Sequence, residues 1–312
     1  MIVRPSRRDA VVEVMPEQSW SLPQDSPCTV SVVVPTYNEE KAIGPTIEQI
    51  LRTMDDTGLA YELIVVDDGS TDRTAEIVMG YERVRLVRHH NNRGTGAATK
   101  TGIKYARGEI MVMTDADGTY PNDMIPSLLA QMNDYDMVIG ARAREAGTMR
   151  WLRTPAKTFI RLLASYMTET KIPDLNSGLR CFRKELALQF LGILPNGFSW
   201  VSTITMAFLS AGYPVGWVPI SYYKRVGRSK FHPLRDTYNY LTLVVRTVMF
   251  FNPLRIFIPL TAFLLLLGAG KLIRDILVYN WHIPGSTIML VLTGVQVGAI
   301  GMLADLIVRK GK

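Results

Sequence analysis

Residues 29–40 read TVSVVVPTYNEE: an apolar run, a proline, then a polar cluster holding Tyr37, Asn38 and Glu39. The pattern recurs in residues 61–74, YELIVVDDGSTDRT, residues 83–106, RVRLVRHHNNRGTGAATKTGIKYA, residues 108–118, GEIMVMTDADG, and residues 135–142, YDMVIGAR. Runs this short and this continuously apolar read as buried strands. The segments between them read as helices, the first with Ile43, Ile47, Ile50, Leu51 and Met54 on one face. Ser70 or Thr71 is placed to cap the helix after the second strand. Strands alternating with helices predict an α/β domain whose mostly parallel sheet is wound on both faces. Ligands bind such sheets beyond the carboxyl ends of the strands. Four strands here end in polar clusters, at Tyr37 to Glu39, Asp67-Asp68, Asn91 to Gly96 and Asp115 to Asp117, so all four converge on one rim.

The 312 residues allow one large domain, or one domain plus something smaller, and 47% hydrophobic residues support a sizeable core. Most of that hydrophobicity lies after residue 250, which a purely soluble enzyme would not show. A formal charge of +7 points to an acidic partner. No helix-turn-helix, zinc-finger or aromatic-basic RNA signature accompanies it, so the expected partner is a lipid bilayer and not nucleic acid. Cys28 and Cys181 have neither disulfide-framework nor metal-ligand spacing and are expected to be reduced thiols in a cytosolic domain. Residues 1–28 are basic and lack an apolar core region, so they are expected to be a loose arm and not a signal peptide.

Residues 148–167, TMRWLRTPAKTFIRLLASYM, set Arg150, Arg153, Lys157 and Arg161 at helical spacing opposite Leu152, Phe159, Ile160 and Leu163. A basic amphipathic helix suits an anionic bilayer surface, and equally the solvated face of an ordinary surface helix. Residues 232–252, HPLRDTYNYLTLVVRTVMFFN, are a second juxtamembrane segment. Two apolar stretches follow, residues 253–275 and 283–308, expected to be transmembrane helices. A re-entrant or core helix is the alternative for the first. Two spans return the chain to its starting side, with Arg255, Arg309, Lys310 and Lys312 on the cytoplasmic face.

Asp115 and Asp117 close a buried strand, where like charges repel and neither belongs in a core. They could be a general acid/base dyad, a metal site or neighbouring loop charges. A glycosidase-like pair flanks a bond at roughly 5–9.5 Å, whereas Asp-x-Asp on a single turn better suits a hard divalent cation, Mg²⁺ or Mn²⁺, with positions left for phosphate. Asn92 to Gly96 supplies a turn where backbone can approach a ligand closely, followed by a helix N-terminus favourable for negative charge.

The segments VVVPTYNEE, VVDDGSTD, NRGTGAA and TDADG, in this order and at these strand ends, resemble the family 2 inverting glycosyltransferases of GT-A fold. IGARAR, DLNSGLRCFRKE and RVGRSKF are similar to the branch holding dolichyl-phosphate mannose synthase and the bactoprenol glucosyltransferases, and FNPLRIFIPL with the apolar runs to its members with a paired-helix anchor. The resemblance implies a GT-A domain over residues 29–231. It implies that Pro35, Tyr37, Glu39, Asp67 and Asp68 hold the base and ribose of a nucleotide diphosphate sugar. Asp115 and Asp117, with the Ala116 backbone, would hold the metal and diphosphate. Arg142, Ser177 and Arg180 would meet an acceptor phosphate, and Arg225, Ser229 and Lys230 would close over the phosphates. Some relatives carry Gln two residues after the second Asp, where Thr119 stands, so the third metal ligand is left open.

Chain-building relatives use an acid to deprotonate a sugar hydroxyl, together with a Gln-x-x-Arg-Trp segment. The corresponding stretch here, GFSWVSTITM, has no acid, and that segment does not occur. A phosphate acceptor, largely dianionic at neutral pH, needs positioning more than a base. The leading reading is therefore transfer of a hexose to a polyprenyl phosphate at a cell membrane. Asp174 either acts as a base or orientation residue, or satisfies turn amides. Two other readings stand beside it: transfer to a saccharide or protein hydroxyl, and a non-catalytic nucleotide-binding tether. The sugar, the choice between UDP and GDP, and a homo-oligomer are left open.

Overall fold

A computed structural model describes residues 12–14, 28–142, 162, 165, 170–197, 199–223, 249, 253–278 and 283–310. The apolar runs form strands as expected. β2 (Val30–Thr36), β3 (Tyr61–Asp67), β4 (Val84–His89) and β5 (Ile110–Met113) are all parallel, in the order β4-β3-β2-β5. Every residue of β2 is buried, as a strand covered on both faces requires. On one face Val32, Val34, Leu63, Val65 and Leu86 pack against Ile43, Ile47, Ile50 and Met54 of α1 (Ile43–Asp55). On the other, Val33, Ile64, Val66, Val87 and Met113 pack against α3 (Thr95–Tyr105) and α6 (Trp200–Ser210) through Ala98, Ile103, Ile204 and Phe208. Burying each such side chain is worth about 1.5–3 kcal/mol, so these two layers dominate the domain's stability.

Among the described residues the sheet has eight strands, and its second half is mixed. β7 (Arg180–Arg183) runs antiparallel between β5 and β6 (Met137–Arg142), and β8 (Val215–Ile220) pairs parallel with β6. Inserting β7 this way puts its N-terminal end, and the 174–179 loop before it, on the same rim as the carboxyl ends of β2 to β6. Within the expected loose arm, Val12–Val14 forms β1, antiparallel to β4 at the sheet edge. α2 (Thr74–Met79) starts later than expected, and neither Ser70 nor Thr71 caps it; Asp72 accepts from the Thr74 amide at 2.9 Å instead. Two further short helices among the described residues are α4 (Ile125–Leu129) and α5 (Lys184–Phe190). Cys28 and Cys181 are free thiols.

The two apolar stretches form α7 (Leu254–Val278) and α8 (Gly285–Lys310), 25 and 26 residues long. At about 1.5 Å per residue each exceeds the ~30 Å of a bilayer's hydrocarbon. They pack as an antiparallel hairpin through small residues: a Cβ at Gly294 would lie 2.9 Å from Leu265, one at Gly298 3.2 Å from Thr261, and one at Gly301 would collide with Phe257. Large apolar side chains such as Leu266, Leu277 and Met289 face outward, as lipid contact would have them. Lys271 Nζ bonds Asp275, Ser286 and Thr287 at 3.0, 2.9 and 2.6 Å, a polar staple at the hairpin tip. Residues 148–167, apart from 162 and 165, and residues 232–252, apart from 249, lie outside the described residues, as do Arg225, Ser229 and Lys230.

Candidate active site

Register aligns the strand ends. Thr36 pairs with Asp67, Asp67 with Arg88, and Arg142 with Ile220, so residues 36–40, 67–74, 89–94, 114–119, 142 and 222 share one rim. The expected convergence is thereby observed.

On the nucleotide side, Pro35 is buried, and Tyr37 and Glu39 are half-buried. Their loop is tied to the next one. Asn38 N donates to Ser70 Oγ at 2.9 Å, Glu39 N to Thr74 Oγ1 at 2.9 Å, and Thr71 N to Asn38 Oδ1 at 2.8 Å. Asn38 holds φ 55°, a left-handed conformation that Asn tolerates. Asp67 is fully buried, with Oδ2 3.0 Å from Arg88 Nε and Oδ1 accepting from Ser70 N.

Asp68, expected beside Asp67 on the nucleotide, is buried and bonded to the turn after β4. Its carboxylate accepts from the Arg93 and Gly94 amides at 3.0 and 2.7 Å and lies 2.6 Å from His89 Nδ1, whose Nε2 is 2.9 Å from Thr101 Oγ1. These bonds hold the glycine turn to β3. His89 escaped the sequence reading because nothing local marks its partners.

The glycine turn is corrected in the same way. Its close approach is to another segment of chain. A Cβ at Gly96 would collide with Pro195 O and lie 2.8 Å from Gly197 O, and Ala97 N donates to Asn196 O at 3.1 Å. Gly94, at φ +97°, has Asn196 against it in the same manner. The 195–197 backbone occupies the space read as a ligand cradle.

Asp115 is half-buried and Asp117 buried on the turn after β5. Thr119 donates to Asp117 Oδ1 through its hydroxyl at 2.6 Å and its amide at 3.1 Å. Thr119 thus orients the second carboxylate, which answers why a short hydroxyl serves there. The Ala116 carbonyl accepts from Thr46 at 3.3 Å. Gly178 comes against Asp115, where a Cβ would lie 2.8 Å from Oδ2. Tyr120, whose hydroxyl accepts from Gly178 N at 2.7 Å, has its pKa pushed up by burial and then by the Asp115 charge. No third His, Cys, Asp or Glu joins the two carboxylates among the described residues. Two carboxylates on one turn, offering only oxygen donors, fit a hard divalent cation such as Mg²⁺ or Mn²⁺.

On the acceptor side, Arg142 grips Asp174 with two prongs, Nε to Oδ2 at 2.7 Å and Nη2 to Oδ1 at 2.9 Å. Burial would raise the Asp174 carboxyl, but the Arg142 hydrogen bonds hold it below the usual range. That is a poor environment for a base. Arg142 also lies over the Tyr222 ring, 5.3 Å from its centroid. Ser177 is wholly buried, its hydroxyl without a hydrogen-bond partner among the described residues.

Arg180 does not reach the rim. Its guanidinium is fully buried, bonds Ser177 O, Val201 O at 2.8 Å and Thr205 Oγ1 at 2.9 Å, and stacks on Trp200 at 5.5 Å. Burial lowers its pKa to about 10. It braces the 177–180 turn from behind, and an acceptor phosphate would have to displace core to touch it.

Residues 31–190 match the family described as glycosyl transferase family 2, and residues 252–309 match the GtrB C-terminal hairpin. A dolichyl-phosphate hexose transferase of Haloferax volcanii is 36% identical over 208 residues, 65% of this chain and 87% of that protein. A dolichyl-phosphate beta-glucosyltransferase of Trichomonas vaginalis is 32% identical over 207 residues, 59% of this chain, and the match spans only 61% of its length. Among solved structures, glucosyl-3-phosphoglycerate synthase from Mycobacterium tuberculosis, in complex with Mn²⁺, UDP and phosphoglyceric acid, aligns with TM-score 0.57 at 22% identity. That alignment covers 71% of this chain and 78% of that one. At that identity the likeness shows the fold alone.

Proposed function

The chain belongs to glycosyl transferase family 2, and from that premise we propose that it is a membrane-anchored inverting hexosyltransferase with a polyprenyl phosphate as acceptor. The donor is a nucleotide diphosphate sugar, a UDP-hexose or GDP-mannose. The observation that carries the reading is the Arg142–Asp174 pair. Among the described residues, the Asp174 carboxylate on the acceptor side is locked on an arginine with its pKa depressed. A hydroxyl acceptor would need a base at that place. A phosphate monoester, with a second pKa near 6, is already a nucleophile at neutral pH and needs a positioned cation. The names of the two relatives and the hairpin match support the lipid carrier.

In the reaction a phosphate oxygen of the acceptor bonds the anomeric carbon as the bond to the nucleoside diphosphate breaks, on opposite faces, with no proton transferred. Asp115 and Asp117 would hold Mg²⁺ or Mn²⁺. When bound, such an ion supplies charge neutralisation for the departing diphosphate. The tied 36–40 and 67–74 loops would seat the nucleoside, and Arg142 would position the acceptor head group. Arg225, Ser229 and Lys230 would close over the phosphates. α7 and α8 would span the bilayer. Arg255 lies in the first turn of α7, and Arg309 and Lys310 end α8, so the positive-inside tendency supports a cytoplasmic catalytic domain.

The test supplies full-length protein in micelles with Mn²⁺, a short polyprenyl phosphate and a panel of UDP- and GDP-hexoses. Glycolipid from one donor supports the reading. Absence of product from all of them contradicts it.

A further inference from the structure

The loop that carries Asp174 is held at both ends by aromatic side chains from other elements. At its start, the Trp217 indole of β8 donates to Asp174 O at 3.3 Å. At its far end, Gly178 N donates to the hydroxyl of Tyr120 at 2.7 Å. That second tie is the shorter one, and it comes from the carboxylate turn itself, because Tyr120 lies three residues beyond Asp117. Tyr120 is buried, and its ring meets Tyr222 edge-on at 5.2 Å and 68°. Asp115 closes on the same glycine: a Cβ at Gly178 would lie 2.8 Å from Asp115 Oδ2. Gly178 is thus caught between the first carboxylate and the Tyr120 hydroxyl, four residues from the partner of Arg142.

We propose that Tyr120 is a positioning residue whose hydroxyl, through the Gly178 amide, sets how far the Arg142–Asp174 pair stands from the Asp115–Asp117 turn. The inference rests on the proposed transfer reaction for what the acceptor half binds. In that reaction the spacing decides whether an acceptor oxygen reaches the anomeric carbon in line with the departing diphosphate. A misplacement of about 1 Å can cost about a hundredfold in rate. The ring fills core whether or not the hydroxyl is present. One atom therefore separates the positioning role from the packing role.

Tyr120→Phe removes the hydroxyl and keeps the ring. Amide hydrogen exchange over residues 174–179 of the full-length protein in micelles, well below its Tm, reads the loop without turnover. Mn²⁺ affinity in the presence of UDP, by electron paramagnetic resonance, reads the metal half. The kcat/KM for a short polyprenyl phosphate reads the transfer. Expected for Tyr120→Phe is exchange about tenfold faster at the Gly178 amide, the effect of one hydrogen bond. Mn²⁺ affinity should stay within about twofold, while kcat/KM falls by about tenfold or more. Unchanged exchange, Mn²⁺ affinity falling as far as kcat/KM, or a variant altered only in Tm would each overturn the proposal. If wild-type protein makes no glycolipid, the transfer reading fails, while exchange and Mn²⁺ affinity still decide whether Tyr120 holds the loop.

Discussion

Arg142 and Asp174 form a bidentate ion pair, 2.7 and 2.9 Å, between the end of β6 and the loop before β7. An arginine with free rotamers would lose several torsional freedoms on meeting a phosphate. This one is held before the ligand arrives.

The pair predicts a specific pH behaviour. A carboxyl whose folded pKa is depressed contributes stability that is present above its unfolded value, near 4, and is lost as pH falls through the lower folded value. Asp174 should therefore give no limb to the activity profile near neutrality. Asp174→Asn should lower kcat/KM for the acceptor at all pH values above about 5 without moving the profile. A profile whose acid limb disappears in Asp174→Asn would instead make this residue a base.

Arg180→Ala should act on stability and not on acceptor choice. Its guanidinium fills a buried slot and satisfies the Ser177 and Val201 carbonyls, so removal should cost about 3 kcal/mol or more and lower Tm by several degrees. Thermal unfolding checks this. A selective rise in acceptor KM at unchanged Tm would return Arg180 to the phosphate.

Gly96→Ala distinguishes a packed turn from a ligand cradle. The new methyl would meet the 195–197 backbone, and overpacking there should cost about 1–3 kcal/mol. Tm should fall while UDP affinity of the folded protein stays within about threefold. Lost UDP binding at unchanged Tm would contradict the packing account.

Gly301→Leu should pry α8 from Phe257 and lower the thermal stability of the protein in micelles, while leaving Mn²⁺ and UDP binding intact. An unchanged unfolding temperature would mean that the hairpin does not pack through this face.

How much of this was readable in sequence follows from the range of the interactions. β2 to β6 announce themselves as apolar runs, because burial on both faces is a local requirement, and the rim follows from parallel register. β7 does not. Its four residues, Arg180 to Arg183, begin and end in arginine, and its antiparallel place between β5 and β6 depends on partners some 40 and 70 residues away. β1 is set by pairing with β4 across a similar gap. The glycine turn reads as a place where backbone meets a ligand, whereas the backbone it meets, at 195–197, is a hundred residues on. Asp68 and His89 were hidden for the same reason, and Arg180 because a cationic side chain reads as surface until its cage of carbonyls is seen. The placement of Asp115 and Asp117 on the turn after β5 needed only the strand end and the spacing.

The acceptor's charge is the point on which the account turns. Full-length protein with Mn²⁺ and its preferred nucleotide sugar should be offered a polyprenyl phosphate and the matching polyprenol in the same micelles, with the lipid products resolved by mass. The account predicts that hexose appears on the phosphate alone, and that added alcohol neither reacts nor competes. Hexose on the alcohol at a comparable rate would contradict it.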